Sequence, residues 1–236
     1  MKICVINPNT SSGMTSHIRE ELVKVKSPAT ELKVVCPARG PETIECAVDE
    51  AYAVPEMLKL VAGAQQDGFD AVVIACFSDP GLDGAKELAT IPVIGIGEAS
   101  IHAAAMLGAK FTVITPVKRR VPTRIRQALD LVCQHRLASV RSLDLSVAQS
   151  ESDSDLTINT LLDVVGSAVE EDGAEVIVLG CAGMTGYTEQ IEKQYGVVVI
   201  DPCTVALKFA ESFVALRLGQ SKTGHFAMPP AKLYRV

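Results

Sequence analysis

A chain of 236 residues and 25.0 kDa can bury a sizeable core as one large domain or two small ones, and 48% hydrophobic against 21% charged residues excludes a disordered, collagen-like or low-complexity polymer. Lys+Arg 22 against Asp+Glu 28 leave a net charge of −6, without the basic stripe that a nucleic-acid partner requires, so the expected partner is a small molecule. Cysteines occur singly at positions 4, 36, 46, 76, 133, 181 and 203, with no CxxC pair of the kind zinc and redox sites use, and they read as thiols of a reducing, cytoplasmic compartment with no metal.

The opening Met1-Lys-Ile-Cys-Val-Ile-Asn7 turns polar at once, which argues against a secretory leader. No stretch of about 18 apolar residues follows, so no membrane partner is expected. In chain order, short β-branched runs predict strands near Lys2 to Ile6, Leu32 to Cys36, Ala71 to Ala75, Val93 to Ile96, Lys110 to Ile114, Val140 to Leu143, Val176 to Leu179 and Val197 to Ile200. Segments of helical period lie between them. Met57, Leu60, Val61 and Ala64 form one apolar stripe, in a helix that Pro55 is expected to open, and Ile158, Leu161, Leu162, Val165 and Val169 form another. Alternation of this kind specifies an α/β fold with parallel strands covered by helices.

The two halves of the chain repeat each other. Lys2-Ile-Cys-Val-Ile-Asn-Pro8 answers Lys110-Phe-Thr-Val-Ile-Thr-Pro116, and Asp67-Gly-Phe-Asp-Ala-Val-Val-Ile-Ala-Cys76 answers Asp172-Gly-Ala-Glu-Val-Ile-Val-Leu-Gly-Cys181. Pro92-Val-Ile-Gly95 then answers Val198-Val-Ile-Asp201. Three matches in one order predict two lobes related by a pseudo-two-fold axis, each a four-stranded, mostly parallel sheet flanked by helices, with the site at the lobe interface. The expected division is 1–98 plus 207–236 for one lobe and 99–206 for the other, with a C-terminal helix near Thr204 to Leu218 crossing back to the first lobe.

Cys76 and Cys181 are the repeat mates at the carboxyl ends of the third strands. Each precedes a short turn expected to lead into a helix, whose dipole would lower the thiol pKa from about 8.5 toward neutrality. Two thiols facing one cleft suit removal of a proton from one face of a carbon and its return to the other, which is racemisation. Flanking a planar carbanion at roughly 7 Å, they need no movement. The negative charge requires a substrate carbonyl, because no cofactor motif is present; Gly95-Ile-Gly97 reads as an ordinary strand-to-helix turn. The turns Asn7-Pro-Asn-Thr-Ser-Ser-Gly13 and Thr115-Pro-Val117 can hold an enolate oxygen or amide, with Asn9, Thr10, Ser78 and Thr115 as side-chain candidates.

Ile6-Asn-Pro-Asn-Thr10, Ile74-Ala-Cys-Phe-Ser-Asp-Pro-Gly-Leu82, Val178-Leu-Gly-Cys-Ala-Gly-Met184 and Val199-Ile-Asp-Pro202 together resemble the aspartate/glutamate/hydantoin racemase superfamily, and within it the hydantoin and allantoin racemases. The resemblance spans nearly the whole chain. It implies a cofactor-independent racemase of 5-substituted hydantoins, allantoin being one such ring, in which Cys76 and Cys181 match the catalytic cysteines. It also implies a homo-oligomer, a tetramer or hexamer. Pro8, Ile44, Phe77, Pro116, Gly183 and Met184 join Asn9, Thr10, Ser78 and Thr115 as expected substrate contacts. Amino-acid racemases of the superfamily carry Asn-Thr and Thr-His after their two cysteines, whereas this chain has Phe77-Ser78 and Ala182-Gly183, which points to a neutral ring rather than a free amino acid. The rival chemistries on the same fold are a maleate-type cis/trans isomerase and an arylmalonate-type decarboxylase. Outside catalysis the rival is a small-molecule binding protein.

The other cysteines read as small buried hydrophobes. Lys118, Arg119, Arg120, Arg124 and Arg126 read as a solvated helix face, and His17, His102, His135 and His225 lack metal-ligand spacing. Asp79 is expected to tune Cys76 or to cap the following helix, and the acidic run Glu151 to Asp155 to open one.

Overall fold

The computed structural model describes residues 1–131 and 134–231; Cys133 lies outside the described residues. Among these, eight strands form two four-stranded parallel sheets. The first is ordered β2-β1-β3-β4 from β1 (Lys2–Ile6), β2 (Glu31–Val35), β3 (Ala71–Ile74) and β4 (Val93–Gly95). The second repeats that order as β6-β5-β7-β8 from β5 (Phe111–Thr115), β6 (Leu137–Ser142), β7 (Val176–Leu179) and β8 (Val198–Ile200). Every residue of β3 and β7 is buried, as expected for central strands of parallel sheets covered on both faces. The strands expected from sequence are all present, with ends displaced by a few residues at most.

The helices show why local signals set some ends and tertiary packing others. Helix α1 (Ser12–Val25) starts where Ser11 Oγ accepts from the Met14 N–H at 3.0 Å. Helix α2 spans Ala47–Gln66, so Pro55 lies inside it instead of opening it. The carboxylate of Asp49 accepts from the Glu45 and Cys46 N–H groups at 2.9 and 3.0 Å, fixing the start two turns earlier. Pro55 is exposed, while Ala53, Met57, Val61 and Ala64 are buried, the last three in the core with Ile6, Val72 and Ile74. That burial outweighs a cost of about 3 kcal/mol for an interior proline. The acidic run 151–155 spans a junction: α6 (Val147–Ser152) ends there and Asp153 caps α7 (Ser154–Glu170), its Oδ1 accepting from the Leu156 N–H at 2.9 Å.

Short helices α3 (Leu82–Leu88), α5 (Val121–Asp130) and α8 (Thr188–Tyr195) flank the sheets, and two longer ones cross between them. Helix α4 (Ile96–Leu107) leaves the first sheet and buries Ile101 and Ala104 against Phe111, Val113 and Val178 of the second. Helix α9 (Pro202–Ala215) leaves the second sheet and buries Ala206 and Leu207 against Ile3, Val5 and Val73 of the first. The junctions expected at 98/99 and 206/207 fall inside α4 and α9. Each lobe is therefore completed by a helix that follows the other's last strand. Among the described residues no helix is long and apolar enough to cross a membrane.

Candidate active site

Both halves bring the carboxyl ends of their two central strands to the same place. In the first sheet the Ala75 N–H donates to the Ile6 carbonyl at 2.8 Å, and in the second the Gly180 N–H donates to the Ile114 carbonyl at 2.7 Å. These equivalent bonds carry the chain straight into Cys76 and Cys181. A Cβ at Gly180 would stand 2.6 Å from the Ile114 oxygen, so glycine is required for this approach. Both cysteines are partly exposed, and both line one cavity of about 40 Å³ between the lobes. That volume is far below the roughly 300–1,000 Å³ of an ordinary ligand pocket, and further still below the space a dinucleotide needs.

Asn9, Ile44, Phe77, Thr115 and Pro116 line the cavity with the two thiols. Pro8, Thr10, Ser78, Gly183 and Met184 do not. Pro8 is buried in the loop after β1, and Thr10 ties that loop to the Pro41 carbonyl through its N–H at 2.9 Å. Ser78 turns its hydroxyl toward Arg124, Gly183 lies in the turn behind Cys181, and Met184 is fully buried in the second-lobe core. Asn7, Met14, Val117, Arg120, Val147 and Ala182 also line the cavity without having been singled out as contacts. The loop after β1 is preorganised: Asn7 Nδ2 donates to Asn9 Oδ1 at 2.7 Å and to Thr15 Oγ1 at 3.0 Å, and Asn9 Oδ1 accepts from the Ser11 N–H at 2.9 Å. Asn9 Nδ2 donates to the Met14 sulfur at 3.4 Å, a weak acceptor that a ligand oxygen can replace.

The basic group after β5 is a solvated face only in part: Lys118, Arg119 and Arg126 are exposed as expected, and the other two are not. Arg120 and Arg124 are buried, at 6% and 4% exposure, because they hold the Cys76 loop from behind. Arg120 pairs with Glu50 and donates to Ser78 Oγ at 3.2 Å; Arg124 donates to the Phe77 carbonyl at 3.2 Å and to Ser78 Oγ at 2.7 Å. Gln127 adds a bond to the same carbonyl at 2.7 Å. Their spacing across a 3-10 turn and the start of α5 gave no sign of which residues face inward. Asp79, with φ 48°, caps α4 rather than the helix that follows it: its carboxylate accepts from the Gly97 and Glu98 N–H groups at 3.0 and 2.6 Å. Burial pushes that carboxyl up to about 7, against those hydrogen bonds. A side chain at Gly95 or Gly97 would collide with Asp79, so these glycines serve close packing of the Cys76 loop.

Both thiols are raised, contrary to the expected lowering by helix dipoles. Burial pushes Cys181 up to about 11; the Gly183 N–H opposes this, and negative charge on Cys76 adds to it. Burial likewise raises Cys76, opposed by the Ser78 N–H and hydroxyl and by Arg124. The physical reason is length. Cys181 precedes a single 3-10 turn (Ala182–Met184), and the Cys76 turn reaches the seven-residue α3 only at Leu82, so little dipole is available against desolvation. Because each thiolate disfavours the other, the pair ionises in steps. Among the described residues no group of three or more His, Cys, Asp or Glu could hold a metal ion. Cys4 and Cys203 are buried in the cores as expected, whereas Cys36, after β2, and Cys46, before α2, are partly exposed.

The description Asp/Glu/hydantoin racemase belongs to the family model that matches residues 3–210. A hydantoin racemase of Paenarthrobacter aurescens is 40% identical over 99% of this chain and 100% of its own. Among solved structures, an allantoin racemase from Klebsiella pneumoniae superimposes with a TM-score of 0.97 at 38% identity, covering 100% of this chain and 96% of the other. One from Pseudomonas fluorescens gives 0.95 at 36%, covering 100% of both.

Proposed function

Because this chain belongs to the Asp/Glu/hydantoin racemase family, we propose that it interconverts the enantiomers of a 5-substituted hydantoin, with allantoin among the candidate substrates, by proton transfer between Cys76 and Cys181. The observation that carries this reading is the arrival of two pseudo-equivalent thiols at one small cavity. One cysteine enters as thiolate and takes the C5 proton. The electron pair left on carbon spreads onto the neighbouring ring carbonyl, where the Asn9 amide and the Thr115 hydroxyl supply hydrogen-bond donors. The other cysteine, a thiol, protonates the opposite face and leaves as thiolate. Atoms and charge balance without a cofactor.

Arg120 is the cationic side chain at the cavity among the described residues and would suit a carboxylate substrate, but Glu50 already neutralises it. An uncharged ring therefore fits better than a dicarboxylate. The test uses each pure enantiomer of a 5-substituted hydantoin, and separately of allantoin, in D2O, with polarimetry and C5 deuteration followed together. The wild-type protein is expected to racemise and deuterate at least one of the two rings, above the spontaneous rate. Cys76→Ser and Cys181→Ser should each lose racemisation by about 10²-fold or more, any residual exchange favouring opposite enantiomers. Racemisation that survives in either variant would falsify the two-thiol mechanism, and a protein inert toward both rings removes the substrate assignment.

A further inference from the structure

The two thiols stand at equivalent strand ends in unequal surroundings, and the difference is charge. The ionisable groups around Cys76 are Asp79 in its own turn, Glu50 from α2, Glu98 from α4, Arg120 and Arg124 after β5, and the thiols Cys181 and Cys203. Glu50 answers Arg120, and Lys86 answers Glu98 at 2.7 Å. Arg124 forms no ion pair among the described residues. Its Nη1 donates to Gln127 Oε1 at 2.6 Å and to the Phe77 carbonyl, its Nη2 to Ser78 Oγ, its face lies 5.3 Å over the Phe77 ring, and its Nε has no partner. A guanidinium 4% exposed and without a counter-ion is costly, and an anion forming beside it is correspondingly favoured. Of the acidic groups that favour the charged form of Arg124, Cys76 comes ahead of Asp79 and Glu50.

We propose that Arg124 is a positioning residue that makes Cys76 the first of the pair to ionise, acting across the Ser78 hydroxyl and the Phe77 carbonyl. In the fraction of the protein that carries a thiolate, the negative charge then sits on Cys76, and Cys181 waits as the proton donor. Each turnover in that direction leaves the charge on Cys181, and passage of one proton from Cys76 to Cys181 through solvent restores the resting state. This rests on the reading of the two cysteines as a proton-transfer pair.

Site-resolved alkylation by iodoacetamide, read by mass spectrometry on the folded full-length chain as a function of pH, tests the proposal without requiring turnover. Cys76 is followed in Cys181→Ser and Cys181 in Cys76→Ser. With Arg124 intact, Cys76 should reach its half-maximal rate at the lower pH. Adding Arg124→Gln should move the Cys76 midpoint upward by about one pH unit, roughly tenfold in rate at fixed lower pH, while Cys181 moves less, and Arg124→Lys should restore most of the shift. A Cys181 midpoint at or below that of Cys76 overturns the proposal with no arginine variant needed. Equal displacement of both midpoints, or none at Cys76, overturns the part played by Arg124. Failure of the racemase reading would appear instead in the exchange experiment, leaving the alkylation profiles to stand alone.

Discussion

Glu211 offers a stability test of how the crossing helix is fastened. It lies on α9 at 5% exposure, and its carboxylate accepts from the Ser27 N–H, the Ser27 hydroxyl and the Thr30 hydroxyl at 2.7 Å each and from Lys208 Nζ at 2.8 Å. Ser27 and Thr30 form the turn between α1 and β2, so this one group pins a helix from the second half of the sequence onto the first lobe. Burial alone would raise its pKa; the hydrogen bonds from Lys208, Ser27 and Thr30 outweigh that and bring it from 4.5 to about 2. At about 1.4 kcal/mol per pH unit the lowering corresponds to at most about 3.5 kcal/mol, and about 2 kcal/mol once the hydrogen bonds that glutamine keeps are allowed for. The folded pKa is depressed, so the contribution is fully present above the unfolded value of 4.5 and is lost as pH falls toward 2. Urea unfolding of wild type and Glu211→Gln should therefore differ by about 2 kcal/mol near neutrality, a midpoint shift of roughly 1 M. The difference should shrink steadily on acidification. A constant difference from neutral to acid pH, or a neutral-pH loss below about 0.5 kcal/mol, would refute the reasoning.

With both thiols raised by burial and Cys181 at about 11, little thiolate exists near neutrality, so kcat/KM for racemisation should climb severalfold to about tenfold per pH unit between about pH 7 and 9; a flat profile there contradicts the pKa assignments. Gly97→Ala would drive a methyl group into the Phe77 carbonyl and the Gln127 amide, and should lower stability by about 2 kcal/mol or more while impairing activity through the Cys76 loop. Gly63→Ala, inside α2 with nothing within 4 Å of the added methyl group, should instead raise stability by about 0.5 to 1 kcal/mol, and thermal melts of the two variants check the contrast.

The eight strands, the duplication and the location of Cys76 and Cys181 were legible in the sequence because each is written in local order. Alternation of β-branched runs with helical stripes needs no knowledge of the fold, and a repeat carries strand-end cysteines to equivalent places automatically. Residues whose role depends on which face turns inward were not legible. Arg120 and Arg124 sit in a basic run identical in composition to a solvated face, and only the docking of α5 beside the Cys76 loop buries them. Asp79 has local alternatives for its carboxylate, yet the N–H groups it finds belong to α4, 18 and 19 residues away. Pro55 reads as a helix start until Asp49 is seen to cap an earlier turn. The thiol pKa values reverse the sequence expectation for the same reason: a strand-end cysteine is a one-dimensional fact, but how much water reaches it and how long a helix follows are properties of the packed chain. Periodicity and duplication determined where the two thiols sit; desolvation and the pairing of buried charges, which exist only once distant segments meet, decided their electrostatics.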